Sequence, residues 1–347
     1  ESLCEQGDGI RSAVAILASL IVNDYSLFLI DEPEAFLHPP QARTLGNNIV
    51  ELSENKQCFL STHNIDLIRG ILEKNSSRVR IIKINRNGNK NEMHEVINED
   101  VQKVTNDRNL KYTNILNGLF YSKVVLCEDE TDCKFYSAIL ENLDEKMYQN
   151  TLFCAVGGKD QFKIITPLLR SMKIEYEIIA DIDLINDSEK LKQLINSIEK
   201  NKYSEIKEIH QSFLSKYGEG HGSLGKKQCI IKQEINDLFT DDEYMATTTK
   251  MKIKKVLKEA NVLELLKTGG ISTIPQGQCS KDYKTIKKFL KENSVHILDC
   301  GEIERFVPEI DAHGNAWVEE VFKRYSNIND TIYDGAKEFI KDVFGIN

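Results

Sequence analysis

Two acidic clusters stand out by residue type and spacing. In Val124-Val125-Leu126-Cys127-Glu128-Asp129-Glu130-Thr131-Asp132 an apolar run ends on Glu128, and Asp132 follows four residues later. Across a strand-to-helix turn that spacing lets both carboxylates converge. Further along, Ile178-Ile179-Ala180-Asp181-Ile182-Asp183 ends another apolar run on acids at i and i+2. Side chains alternate along a strand, so both acids are expected to point at neighbouring parts of one rim. Carboxylate oxygens are the ligands Mg²⁺ and Mn²⁺ prefer. Four of them at one sheet edge would repel strongly unless cations sat between them. A two-metal site, with ions about 3.5–4 Å apart, could activate a water and stabilise the leaving oxygen of a phosphodiester. Lys159, in the turn Gly157-Gly158-Lys159 between the clusters, is placed at the same edge as a cation for the scissile phosphate. Asp187, just past the second cluster, is a further candidate metal ligand.

A second constellation lies nearer the start. Gln6-Gly7-Asp8-Gly9-Ile10-Arg11-Ser12 reads as a loop opening a helix, where backbone N–H groups and the helix dipole can meet a phosphate. Phe28-Leu29-Ile30-Asp31-Glu32-Pro33-Glu34 is an apolar strand ending in carboxylates. Asp31 suits Mg²⁺ binding, and Glu32 suits polarising the water that attacks a γ-phosphate. Ser61-Thr62-His63-Asn64 ends the next strand with a histidine in a phosphate-sensing position.

These residues need strands that stop where the acids begin. Short apolar runs predict buried parallel strands at 26–31, 57–61, 123–127, 152–156, 177–180 and 294–298. Helical patterning is expected over 9–22, 39–55, 131–141, 159–172, 316–325 and 331–344. Residues 78–85 and 94–97 predict a hairpin about Asn87-Gly88-Asn89. The polar stretch 98–113 is the expected boundary, with one domain over 1–100, a linker over 101–120 and a second domain over 121–347. The Lys/Glu-rich stretch 187–270 reads as a helical insertion. The expected class is α/β.

The first constellation is similar to the TOPRIM fold, a Rossmann-like parallel sheet found in topoisomerases, primases and nucleases of the overcoming-lysogenization-defect (OLD) family. The match rests on Glu128–Asp132, the turn Gly157–Lys159 and the pair Asp181/Asp183. OLD-type members add a late acidic motif, which Gly301-Glu302-Ile303-Glu304 resembles; the resemblance implies Glu302 as a fifth acid, with Glu304 second. It also implies a lysine downstream of that motif, for which Lys323 is the nearest match. Residues 1 to about 85 resemble the C-terminal half of ABC-type ATPases, more closely that of OLD nucleases. There QGDGIRS would be the signature loop, Asp31-Glu32 the Walker B pair and His63 the switch histidine. No GxxxxGK[ST] phosphate loop occurs in the chain, which also lacks an initial Met and is expected to be part of a longer protein.

The resemblance implies an ATP-regulated, Mg²⁺- or Mn²⁺-dependent DNA endonuclease or nickase, as in Gabija-type and retron-type anti-phage defence. The full-length protein would use ATP and form homo-oligomers through either domain, with a defence-system partner an open option. A sensor or scaffold ATPase carrying a non-cleaving TOPRIM module and assembling with an effector is the first alternative; a TOPRIM ribonuclease is the second. A topoisomerase is disfavoured for want of a strand-passing domain with a nucleophilic Tyr, and a primase for want of a zinc module.

Composition narrows the field further. Across 347 residues, 41% hydrophobic and 29% charged content describe a globular chain. Eight cysteines without a CxxC pair argue against a zinc site and suit a reducing cytoplasm, which the family resemblance implies is bacterial. No apolar run approaches the ~18 residues of a membrane span. A net charge of −9 means that any nucleic-acid footprint must be local. Lys250, Lys252, Lys254, Lys255 and Lys258 form one candidate run, and Lys284, Lys287, Lys288 and Lys291 another; solvated helix faces are the alternative. His210, His221, His296 and His313 lack ligand-like spacing and read as structural.

Overall fold

Hydrophobic runs bounded by acids and glycines become the strands of two compact units in the computed structural model, which describes residues 3–96, 114–220, 228–239, 246–259 and 262–346. One unit comprises Glu1–Phe120 with Ser171–Lys173, and the other comprises Tyr121–Arg170 with Ile174–Asn347. The polar stretch at 98–113, the expected domain boundary, lies outside the described residues.

In the first unit, helix α1 (Asp8–Val22) leads to strand β1 (Leu27–Asp31), helix α2 (Pro39–Leu52), strand β2 (Gln57–Ser61) and helix α3 (Ile65–Asn75). β1 and β2 pair in parallel with Asp31 opposite Ser61, so both strands deliver their polar ends to one edge. Phe28, Leu60 and Cys58 pack towards the cluster of Leu20, Ala42, Leu45, Ile49 and Leu67. Helix α3 had no counterpart among the sequence expectations. Asn64 caps it by accepting from the backbone N–H groups of Asp66 and Leu67, an Asx start that a search for apolar periodicity passes over. Strands β3 (Ile81–Asn87) and β4 (Lys90–Val96) form the expected antiparallel hairpin, turning at Gly88, whose φ is +59°.

The second unit is built on four parallel strands in the order β6-β5-β7-β8: β5 (Lys123–Cys127), β6 (Thr151–Ala155), β7 (Glu175–Ala180) and β8 (Val295–Ile297). Val124 to Cys127 are wholly buried, as expected of a strand covered on both faces. Helix α4 (Glu130–Leu143) and the short α5 (Glu145–Gln149) join β5 to β6, and α6 (Phe162–Ser171) joins β6 to β7. The described part of the 187–270 region holds no strand and is mostly helical: α7 (Ser188–Ile198), α8 (Lys207–Gly220), α9 (Gln228–Asn236), α10 (Thr247–Glu259) and α11 (Val262–Gly269). α12 (Gln278–Glu292) then returns the chain to β8, and α13 (Asn315–Arg324) and α14 (Asp334–Phe344) follow. Phe135 of α4 anchors one core, with Trp317 at 5.1 Å and Phe306 at 5.9 Å between ring centroids.

The strand order decides where a ligand can sit. The chain leaves β5 for β6 on one side, then crosses to β7 and β8 on the other. The connections therefore diverge between β5 and β7, opening the crevice in which wound α/β sheets hold ligands. Glu128 and Asp181 immediately follow those two strands. Among the described residues no helix is long and apolar enough to cross a membrane.

Candidate metal centre

At that crevice the structure gathers Glu128, Asp181 and Asp183, with one carboxylate oxygen of each lying within 4.8 Å of the others. Asp181 and Asp183 are not on a strand. β7 stops at Ala180, and the chain enters a 3-10 turn over Ile182–Asn186. Turn geometry, and not strand alternation, brings the two acids together. Glu128 is tied to both neighbours: Oε1 accepts from the Asp181 N–H at 3.2 Å, and its backbone carbonyl accepts from the N–H groups of Gly157 and Gly158 at 3.0 Å each. Those glycines have φ of +77° and +113°, conformations that side chains resist.

Two lysines neutralise the acids. Lys159, 13% exposed, donates to Asp183 and lies 3.4 Å from Glu128. Lys267 of α11 lies 3.3 Å from Asp181 and 4.0 Å from Glu302, bridging the three-acid group to the late acidic segment. Sequence reading missed Lys267, because nothing local in Val262–Gly269 marks it. The fold signals it through a glycine: a Cβ on Gly301, φ +112°, would stand 2.1 Å from the Lys267 carbonyl. Gly301 is therefore the residue that lets the end of α11 approach Glu302. A second group, Glu302, Glu304 and His313, also brings one ligand atom each within 4.8 Å. Glu304 accepts from the Gly314 N–H at 2.9 Å and His313 Nδ1 lies 3.6 Å away, so a histidine read as structural stands with two acids.

The other candidates make different contacts in this structure. Asp132 completes a capping box with Asp129: its Oδ2 accepts from the Asp129 N–H at 3.2 Å, while Asp129 accepts from Thr131 and Asp132. Asp187 caps α7, accepting from Glu189 and Lys190. Lys323 is 81% exposed on α13 and pairs with Glu320. Lys250, Lys252 and Lys254 are exposed on α10, whereas the side chains of Lys255 and Lys258 lie outside the description. On α12, Lys284 is exposed and Lys288 pairs with Glu292 at 3.8 Å, while Lys287 and Lys291 bind Asp299 and Asp342. His210 and His296 are buried and hydrogen-bonded, His210 to Tyr203 and Ile185 and His296 to Glu177. His221 lies outside the described residues.

The electrostatics of the centre follow from crowding buried acids. Burial, and then Glu128, drives the Asp181 carboxyl well above its ordinary range, with Lys267 and Lys159 opposing. Burial likewise raises Glu128, against the pull of Lys159. For Lys159, burial alone would lower the pKa, but Glu128 and Asp183 raise it overall. All three gathered side chains offer oxygen donors, so the set fits a hard divalent cation. Asp132 is pushed up to about 7, first by burial and then by Asp129. A carboxyl raised in the folded state stabilises the fold fully below the unfolded pKa, and that contribution is lost as pH rises through the folded value. In the metal-free protein, Asp132→Asn is therefore expected to flatten the fall in Tm between about pH 4 and pH 7. Melting curves of the variant that keep the wild-type slope would refute this.

The polar ends of β1 and β2 form a second constellation, within the first unit. Ser61 donates to Asp31, Thr62 donates to the buried Glu34, and His63 Nε2 lies 3.7 Å from Glu32 Oε1. Glu32 has φ +41°, a left-handed conformation that turns the chain sharply after Asp31. Gly7 caps α1, and a Cβ on Gly9 would stand 2.5 Å from the Phe36 carbonyl, so the glycine loop packs against the turn after the acids. Asp8 pairs with Arg11, and Gln6 donates its N–H to Leu3.

Comparison with known proteins matches one stretch around each constellation. Residues 2–69 match the AAA-domain family described with the AbiEii toxin of a Type IV TA system. Residues 119–183 match the "Overcoming lysogenization defect protein-like, TOPRIM domain" family. The chain is 22% identical to Old nuclease of Escherichia phage P2 over 284 residues, covering 79% of this chain and 46% of that protein, so it spans under half of that relative. It is 36% identical over 89 residues to Uncharacterized protein MJECL11 of Methanocaldococcus jannaschii, covering 24% of this chain and 76% of that one.

Proposed function

We propose, from the premise that the chain belongs to the OLD family of ATPase–TOPRIM proteins, that it is the phosphodiester-cleaving part of a divalent-metal-dependent DNA endonuclease or nickase. The observation that carries this reading is the convergence of Glu128, Asp181 and Asp183 within 4.8 Å at the crevice between β5 and β7. Glu128, Asp181 and Asp183 would hold one Mg²⁺ or Mn²⁺, and Glu302 and Glu304 with His313 are the donors for a second. Such cations supply Lewis acidity, lowering the pKa of bound water and neutralising phosphate charge. The protein's own part is positioning: the glycine turn fixes Glu128, the 3-10 turn presents Asp181 and Asp183, and Lys159 holds Glu128 and Asp183 at one place. Lys267, reaching the centre from the helical insertion, offers a cation to a scissile phosphate.

ATP would act as the control. Asp31, Glu32, His63 and the glycine loop give the acid, base, sensor and phosphate-facing backbone of an ATPase, and the phosphate loop absent from these residues would come from another segment or subunit. Oligomers joined through the ATPase units, and a role in anti-phage defence, follow from the same family reading.

Supercoiled plasmid incubated with the full-length protein and Mg²⁺ or Mn²⁺ should be nicked or linearised. Glu128→Ala should lose at least ~10²-fold of that rate. If wild type and variant leave the plasmid equally intact, the nuclease reading fails.

A further inference from the structure

Tyr136 sits on α4 one turn beyond Asp132, so the two residues share a face of that helix. Its ring is completely buried, 5.7 Å from Phe135 and 5.9 Å from Phe339 between centroids. Among the described residues the hydroxyl has no hydrogen-bond partner. A buried hydroxyl left unpaired destabilises the fold, so its retention calls for a reason. Tyr333, another buried tyrosine of the same core, shows the ordinary solution by donating to the Tyr325 carbonyl at 2.7 Å. The charged groups that bear on the Tyr136 phenol are the carboxylates of Asp132 and Asp181, with the thiols of Cys127 and Cys300 beside them. Burial first, and those carboxylates next, raise its pKa well above the ordinary value, so the group is a neutral donor.

We propose that Tyr136 is a positioning residue of the metal centre, its hydroxyl donating to the Asp132 carboxylate when that side chain leaves the helix cap to serve a divalent cation. In this structure Asp132 accepts from the Asp129 N–H, and the phenol has no partner among the described residues. A carboxylate that gives one oxygen to a cation still accepts through its lone pairs, and a donor beneath it fixes its orientation and hence the cation affinity. This inference rests on reading the centre as a cation site.

The experiment measures metal-free melting and calorimetric Mn²⁺ binding for full-length wild type, Tyr136→Phe and Tyr333→Phe. Tyr136→Phe removes only an unpaired oxygen, so its metal-free Tm should equal or exceed wild type, while its Kd for Mn²⁺ weakens on the order of tenfold. Tyr333→Phe removes a bonded hydroxyl, so it should melt lower and bind Mn²⁺ as wild type does. Wild-type Mn²⁺ affinity in Tyr136→Phe overturns the proposal, as does a metal-free destabilisation matching that of Tyr333→Phe. A wild-type protein that binds no Mn²⁺ overturns the cation-site reading itself, and that result is visible before any variant is compared.

Discussion

Replacing Lys267 with methionine is expected to slow phosphodiester cleavage by ~10²–10³-fold while tightening Mn²⁺ binding. The two effects have opposite signs because the lysine has two roles. Its ammonium lies 3.3 Å from Asp181 and 4.0 Å from Glu302, so it would compete with a cation for the same oxygens. Once a cation takes that charge over, the ammonium is free to meet the negative charge that develops on a phosphate. Methionine keeps an unbranched apolar stem and removes the charge. Single-turnover cleavage and calorimetry on one preparation separate the roles. Unchanged cleavage together with unchanged Mn²⁺ affinity would mean that Lys267 only stitches the insertion to the core.

Asp181→Asn should be more stable than wild type without metal and less stable than wild type with it. Burial and the neighbouring Glu128 both disfavour the ionised Asp181 carboxylate, so a neutral amide of the same shape should raise the metal-free Tm. Wild type should then gain ~2.7 kcal/mol at Mn²⁺ near 100 times Kd, a rise of ~5–10 °C for a domain of this size. The variant, deprived of a ligand oxygen, should gain little of this and cleave no plasmid. Differential scanning calorimetry with and without Mn²⁺ reads both halves. A variant less stable than wild type without metal, or stabilised equally by it, would place Asp181 outside the cation site.

Much of this chemistry could be read from the chain alone because its determinants are local. A strand buried on both faces is a continuous apolar run, and Lys123–Cys127 and Glu175–Ala180 fall where such runs do. Acids placed directly after those runs must lie at the C-terminal sheet edge, and the glycines at 157 and 158 announce a turn that side chains would resist. The α/β class, the insertion and the identity of Glu128, Asp181 and Asp183 as edge acids follow from such signals. The helix starting at Ile65 escaped because its cue is one capping asparagine.

The remainder belongs to the tertiary structure. Spacing alone cannot say whether Asp132 turns to Glu128 or to the helix start; the backbone conformation around Asp129 puts it on the cap. Nor can it choose among the lysines. Lys323 follows the late acidic motif in sequence, yet it ends on an exposed face of α13. Lys267, separated from Asp181 by the whole insertion, enters the centre because Gly301 has no side chain to block its carbonyl. His313 joins Glu302 and Glu304 by the same kind of long-range closure. Acid positions were written locally in the strands that carry them, whereas their partners depend on strand order and close backbone approach, which leave no periodic trace in a sequence.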